Sequence, residues 1–94
     1  MQSYDINLIC SKYLHVNAIA TTVVKTGSGS LKALNVNFTA GGRIQIYDGI
    51  DATGTIIANL ADSVHEGSYI YNCVVSTGIC VVTAGTPDIT VIYD

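Results

Sequence analysis

The chain has 94 residues, of which 49% are hydrophobic and only 12% are charged, and its formal net charge is −3. This length predicts a single small domain. The four basic residues form no cluster, so the composition argues against binding to nucleic acid or to an anionic membrane surface.

The low charge content predicts more apolar side chain than a lone core of this size can hide. Soluble domains typically contain about 25% charged residues, and a domain of this length buries only about 60–65% of the surface of its unfolded chain. We therefore expect either a tight aliphatic sandwich or an apolar surface that is buried against other chains.

The first residues predict no targeting segment, because no Lys or Arg precedes Lys12 and no apolar run follows that would suit a secretory signal. The chain also lacks a stretch of about 18 apolar residues, so no transmembrane helix is predicted. We expect synthesis in the cytoplasm. Within residues 1–11, Ile6, Leu8 and Cys10 alternate with other residues. This pattern predicts an N-terminal arm or edge strand, followed by a sandwich domain at residues 12–94.

Residues 12–25 form a long run with strand character. Leu14 and Val16 share one parity, and β-branched residues, which favour strands, follow from position 21 to 24. The run predicts either one long strand or two strands that are separated by a bend or bulge near Ala20.

Residues 31–39 and 43–48 predict a hairpin, because a short connection containing two glycines separates two alternating runs. In the first run, Leu34, Val36 and Phe38 are expected to face the core. In the second run, Ile44 and Ile46 share one face, and Arg43, Gln45 and Tyr47 share the other.

Residues 55–60 predict the next strand. Its adjacent Ile56 and Ile57 indicate either a strand that is covered on both faces or a β-bulge. A polar loop on each side separates this strand from its neighbours.

The last third of the chain predicts three more strands, at residues 69–75, 79–83 and 89–93. Turn residues recur about every 8–12 positions, and no segment has helical periodicity. The sequence therefore predicts an all-β fold, a single antiparallel β-sandwich or jelly-roll-like domain of about eight strands. Four tyrosines fall in these strands and fit either a subunit interface or the rim of the core. They are Tyr47, Tyr69, Tyr71 and Tyr93.

The three cysteines, Cys10, Cys73 and Cys80, predict no disulfide framework, because their number is odd and no secretory signal is expected. We expect buried thiols that pack as small hydrophobic groups. If residues 75 and 78 pair around a two-residue turn, Cys73 lies opposite Cys80. If Gly78 forms a bulge, which its conformational freedom favours, Cys73 lies opposite Val81.

No metal site is predicted. His15 and His65 are the only histidines, and they form no ligand spacing with the cysteines. Asp48 and Asp51 lack the alternating acids and distal Glu of a calcium loop, so we expect their carboxylates to cap turns.

No enzyme activity, catalytic residue or cofactor is predicted either. Nucleophilic catalysis needs a base that is within hydrogen-bond reach and is itself oriented, and no motif selects such a set here. Glycoside hydrolysis needs two facing carboxylates, but Glu66 is the only Glu and lies in a connecting loop.

Several segments together resemble a group of small tailed-bacteriophage virion proteins of about ninety residues. The resemblance covers most of the chain from Tyr13 onward. The segments are residues 13–16, 21–27, 31–37, 46–49, 52–54, 77–79, 81–86 and 88–93.

This resemblance implies a structural protein of the phage particle, most simply a capsid decoration or cement protein. It implies a homotrimer that binds the major capsid protein or another virion protein where capsomers meet, and hence a location in the virion. No active-site residue is implied. Two alternatives remain open, a tail- or fibre-associated virion protein and a β-sandwich module that binds a host surface or carbohydrate.

Overall fold

A computed structural model describes residues 11–94. The predicted arm at residues 1–11 therefore lies almost wholly outside the described residues. Eight strands account for the secondary structure of the described part, and no helix able to cross a membrane occurs there. The strands are β1 (Lys12–Val16), β2 (Ala20–Thr26), β3 (Gly29–Phe38), β4 (Ile44–Asp48), β5 (Thr55–Leu60), β6 (Gly67–Val75), β7 (Gly78–Thr83) and β8 (Asp88–Tyr93).

The strands form two four-stranded antiparallel sheets that pack as a sandwich. The first sheet has the order β1-β8-β3-β6, and the second has the order β2-β7-β4-β5. The first strand thus pairs with the last, the second with the seventh, the third with the sixth and the fourth with the fifth. This nested pairing is the strand order of a jelly roll and confirms the predicted all-β fold.

An aliphatic core lies between the sheets, and every strand contributes to it. Because side chains alternate along a strand, one parity of each strand points inward. The buried residues are Val16, Val24, Leu31, Leu34, Val36, Ile44, Ile46, Ala58, Val75, Ile79, Val81, Ile89 and Val91. The tyrosines Tyr69, Tyr71 and Tyr93 pack against this cluster while staying partly exposed, so they lie at its rim.

The run at residues 12–25 is two strands, and they belong to different sheets. The buried hydroxyl of Thr83 secures the crossing between them. Thr83 Oγ1 accepts a hydrogen bond from the Ala20 amide at 3.1 Å and donates to the Ala18 carbonyl at 2.5 Å. These bonds satisfy the backbone at the point where the chain leaves the first sheet.

The predicted hairpin of residues 31–39 with 43–48 is wrong. The strand β3 lies in the first sheet and β4 in the second, so the connection crosses the sandwich. The glycines of this connection are typical of a hairpin turn in sequence. In the structure they instead allow the connection to approach the loop that contains Gly85. Gly42 has a φ of +106°, and a Cβ atom on Gly85 would collide with the Gly41 carbonyl.

The inward orientation predicted for Leu34 and Val36 is confirmed, but that of Phe38 is wrong. Phe38 is 69% exposed. A register shift between Val36 and Phe38 in the pairing with β8 inserts one extra residue, so the alternation breaks and Phe38 turns outward. The adjacent Ile56 and Ile57 likewise mark a bulge, since Ile57 has no opposite residue in β4.

Both predicted registers around the turn at residues 76–77 are wrong, because β6 and β7 lie in different sheets. Cys73 lies opposite Leu31, whereas Cys80 lies opposite Val23 and Tyr47. A two-residue connection between consecutive strands is a hairpin signal in sequence, yet here it is a corner between the sheets.

Candidate functional site

The outer face of the first sheet carries a straight row of apolar side chains, which we call the apolar row. Cross-strand partners share a face, so the register places its members side by side. Tyr13 and Ala33 both lie opposite Ile92, and Ala33 also lies opposite Ile70. The row therefore spans all four strands of this sheet.

A row of hydrogen-bonding side chains lies next to the apolar row, two residues along each strand, and we call it the polar row. His15 and Asn35 both lie opposite Thr90, and Asn35 also lies opposite Ser68. At one end, Asn37 and Asp88 extend this row toward the end of the sheet.

Asp88 is the centre of a hydrogen-bonded cluster at that end. Its Oδ1 atom lies 2.6 Å from His15 Nε2 and accepts a bond from Asn37 Nδ2 at 3.0 Å. The same Asn37 nitrogen donates to Thr90 Oγ1 at 3.0 Å. The bonds from Asn37 and from His15 lower the pKa of Asp88, so the carboxylate is ionised near neutral pH.

Two exposed aromatic rings flank this cluster. Tyr13 precedes His15 by two residues on the same face of β1, and Phe38 lies opposite Asp88 at the end of β3. Each ring is 69% exposed. The cluster and its flanking rings form one continuous patch, the His15–Asp88 patch, comprising Tyr13, His15, Asn37, Phe38, Asp88 and Thr90.

The edge strand β6 carries two strongly exposed aliphatic side chains, Ile70 and Val74. Ile70 is 65% exposed and Val74 is 84% exposed. Both point outward, whereas Tyr69, Tyr71 and Val75 point inward. Asn72, between them, has a φ of +48° at a bulge opposite Lys32, and Asn tolerates this conformation well.

The second sheet has its own outward apolar row. Cys80 lies opposite Val23 on one side and Tyr47 on the other, and Tyr47 lies opposite Ile56. Cys80 is fully buried, and this burial together with the charge of Asp51 raises the pKa of its thiol. Cys80 thus packs as a small apolar group as expected, whereas Cys73 is half-buried and Cys10 lies outside the described residues.

The carboxylates of the loops bind loop backbone. Asp48 accepts hydrogen bonds from the amides of Ser76, Thr77 and Gly78 at 2.9 to 3.3 Å, and Asp51 accepts from the Thr53 amide at 2.9 Å. The bonds to Asp48, led by the one from Ser76, lower the pKa of its carboxyl group. The pKa of Asp51 is lowered first by a bond from the Thr53 hydroxyl and then by the one from the Thr53 amide. The predicted turn-capping role is confirmed.

Glu66 and Asp62 act in the same way. Glu66 accepts from the Thr39 amide at 2.8 Å, and Asp62 accepts from the Gly42 amide at 2.5 Å. Within residues 11–94, no group of three or more His, Cys, Asp or Glu side chains has the geometry to hold a metal ion. His65 contributes its backbone carbonyl, which accepts a bond from the Tyr69 hydroxyl at 2.7 Å.

Sequence reasoning missed the His15–Asp88 patch. Its two central members are 73 positions apart in the chain. Only the pairing of the first strand with the last strand brings them together, and that pairing follows from topology. The one available signal was the alternation of Tyr13 with His15, which places both on one face.

The comparisons with known proteins gave no match: no family model, no curated protein and no solved structure matches this chain.

Proposed function

We propose that this chain is a structural protein of a tailed-bacteriophage particle, and specifically a decoration protein that stabilises the head by binding where capsomers meet. The observation that carries the proposal is the exposed aliphatic surface of β6, with Ile70 and Val74 pointing away from the core. The resemblance of the strand and turn segments to small virion proteins supports a role for this surface in contacts with other proteins of the particle.

The chemistry of β6 supports contact with another protein. An edge strand offers unpaired backbone groups, and soluble proteins usually protect such edges with Lys, Pro or a bulge. Among the described residues, β6 is the longest of the four edge strands; it contains no Lys or Pro, and its bulge at Asn72 leaves Ile70 and Val74 exposed on either side. Aliphatic side chains beside an open edge are suited to burial in an assembly.

The loops support the same proposal. Four of their carboxylates are bound to loop backbone, so they hold the corners of the sandwich in one shape. A rigid body loses little conformational entropy when it binds. The jelly-roll order is itself found in capsid and lectin domains, although a fold alone does not establish a function.

The proposed mechanism is stabilisation by binding. A protein that contacts adjacent capsomers only in the assembled shell shifts the equilibrium toward that shell by mass action. Three copies joined as a homotrimer would multiply this effect, because each further contact within one particle is intramolecular.

The deciding experiment uses heads from a phage strain that lacks this gene. Purified protein is added, and DNA release is followed while the heads are heated. We expect added protein to raise the temperature of DNA release, and Val74→Lys to abolish the effect. Thr21→Lys adds the same charge on an exposed position of β2 and should leave the effect intact.

Heads that never bind the protein, or that bind it without gaining heat resistance, would contradict the decoration function. Electron microscopy of gold-labelled particles separates the head location from the alternative of a tail or fibre location. The native mass at micromolar concentration measures whether the protein is a trimer in solution. This measurement is separate from the decoration test, because a protein that trimerises only on the shell would be a monomer in solution.

A further inference from the structure

We infer that the His15–Asp88 patch is a binding site for a neutral oligosaccharide of about four sugar units. The inference concerns the end of the first sheet formed by β1, β8 and β3, and it does not depend on the proposed capsid contact through β6.

The first argument is the set of hydrogen-bond acceptors that the cluster leaves open. Among residues 11–94, Asp88 forms side-chain hydrogen bonds through Oδ1 alone and Asn37 through its amide nitrogen alone, so Asp88 Oδ2 and Asn37 Oδ1 remain available as acceptors there. An ionised carboxylate only accepts, so His15 Nε2 donates to Asp88 Oδ1 and holds the carboxylate in place. A ligand that satisfies this set must be rich in donors such as hydroxyl groups.

The second argument is the position of the two aromatic rings. The apolar faces of sugar rings stack on aromatic side chains, while their hydroxyl edges form hydrogen bonds with polar groups. Tyr13 and Phe38 are separated by two strand spacings across the sheet and by four residues along it. This geometry places them roughly 16 Å apart, with the open acceptors between them. Linked pyranose rings repeat at about 5 Å, so this spacing fits about four of them, with a ring stacked at each end.

The third argument is that the site is already formed. All members lie on or next to paired strands, and the His15, Asn37, Thr90 and Asp88 side chains are held by mutual hydrogen bonds. A ligand therefore binds without ordering a loop, which limits the entropic cost. The ring of Phe38 has no comparable role in the core, since it is largely exposed.

A neutral glycan fits this patch better than the two rivals. A cationic amine would bind the carboxylate, but it would use neither the Asn37 amide oxygen nor the two separated aromatic rings. A protein partner is expected where apolar contact is continuous, as on β6, whereas the centre of this patch is polar.

The test begins with the full-length protein on a printed array of several hundred neutral and acidic glycans. The best tetrasaccharide or longer glycan is then titrated by calorimetry against the parent protein and against Asn37→Ala and Phe38→Ala. We expect saturable binding of a neutral glycan and a loss of affinity of about tenfold for each variant. Both residues are exposed, so both variants should fold, which circular dichroism verifies.

Two controls make the outcome decisive. Ile56→Ala, an exposed change on the outer face of the second sheet, should leave the affinity unchanged. Spermidine, a flexible cation, should not compete. No glycan bound on the array, binding that is insensitive to both patch variants, or competition by spermidine would each overturn the inference.

Discussion

The carboxylate of Asp48 stabilises the corner between β6 and β7, where the chain passes from one sheet to the other. One carboxylate accepts from three consecutive backbone amides, at residues 76, 77 and 78. Without this acceptor, amide groups at a tight corner would have only solvent as a partner. The corner joins β6 to β7 with only two intervening residues, and it is also held by bonds that the Gly27 and Gly49 amides donate to the carbonyls of Thr77 and Gly78.

Asp48→Asn is expected to lower the melting temperature at pH 7 by a few degrees. The pKa of Asp48 is lowered in the folded state, so its stabilisation is fully present above the ordinary aspartate pKa of about 4 and is lost as the pH falls below it. The difference between variant and parent should therefore shrink below about pH 4. Thermal unfolding by circular dichroism from pH 2 to pH 7 measures this.

Asp94→Asn is the matched control, because it removes the same charge from a side chain that has no hydrogen bond within residues 11–94. A loss of stability equal to that of Asp48→Asn at pH 7 would assign the effect to net charge instead of to the cap.

Leu34 and Phe38 belong to one strand but have opposite roles. Leu34→Ala should lower the free energy of unfolding by about 2–5 kcal/mol, because it leaves a cavity in a fully buried site. Phe38→Ser should change it by less than about 0.5 kcal/mol, because the ring is exposed. Urea denaturation compares the two, and a large effect of the Phe38 change would contradict the bulge that turns it outward.

At the scale of elements, the sequence predicts the strands well and their partners poorly. The alternation of Ile44 with Ile46 and of Ile89 with Val91 is enough to locate a strand and its buried face. A short connection next to Gly residues, however, occurs both in hairpins and in crossings between two sheets. Residues 40–42 and 76–77 are both crossings, because the partners of β3 and β6 come from distant parts of the chain.

The candidate site depends on those distant partners, so it could not be predicted. The pairing of His15 with Thr90 and of Asn37 with the start of β8 exists only after β1 and β3 have both bound β8. The position of Asn37 also depends on the bulge between Val36 and Phe38, which the residues around it do not predict.

The loops that contain Gly41 and Gly85 lie far apart in the chain and pack so closely that no side chain fits at Gly85. A Cβ atom on Gly85 would collide with the Gly41 carbonyl, whereas a Cβ atom on Gly41 would meet nothing closer than 3.7 Å, at Asp62 Oδ1. We expect Gly85→Ala to lower the melting temperature by about 4 °C or more and Gly41→Ala to be tolerated. Equal melting temperatures for the two variants would contradict this contact.

At the scale of the whole molecule, the fold is nested, and its strand pairs are non-local. β1 must find β8, and β2 must find β7, across most of the chain. Closing such long loops before any contact forms is entropically costly. We therefore expect refolding from urea in the range of about milliseconds to seconds, as is usual for sandwiches.

Stopped-flow circular dichroism or tyrosine fluorescence can follow this reaction, since the chain has six Tyr and no Trp. Completion of refolding within about 100 microseconds, as in helical proteins, would contradict the nested pairing.

The pairing of β1 with β8 sets Lys12 directly opposite Tyr93, so the described chain enters and leaves the sandwich at one corner. A short glycine bridge can then join these two points, and new ends can be opened in the exposed loop at residues 51–53. The resulting circular permutant keeps all the strand pairs while changing their order along the chain. The permutant should fold. A guest peptide fused to its new ends would lie at the 51–53 loop, between β4 and β5 of the second sheet.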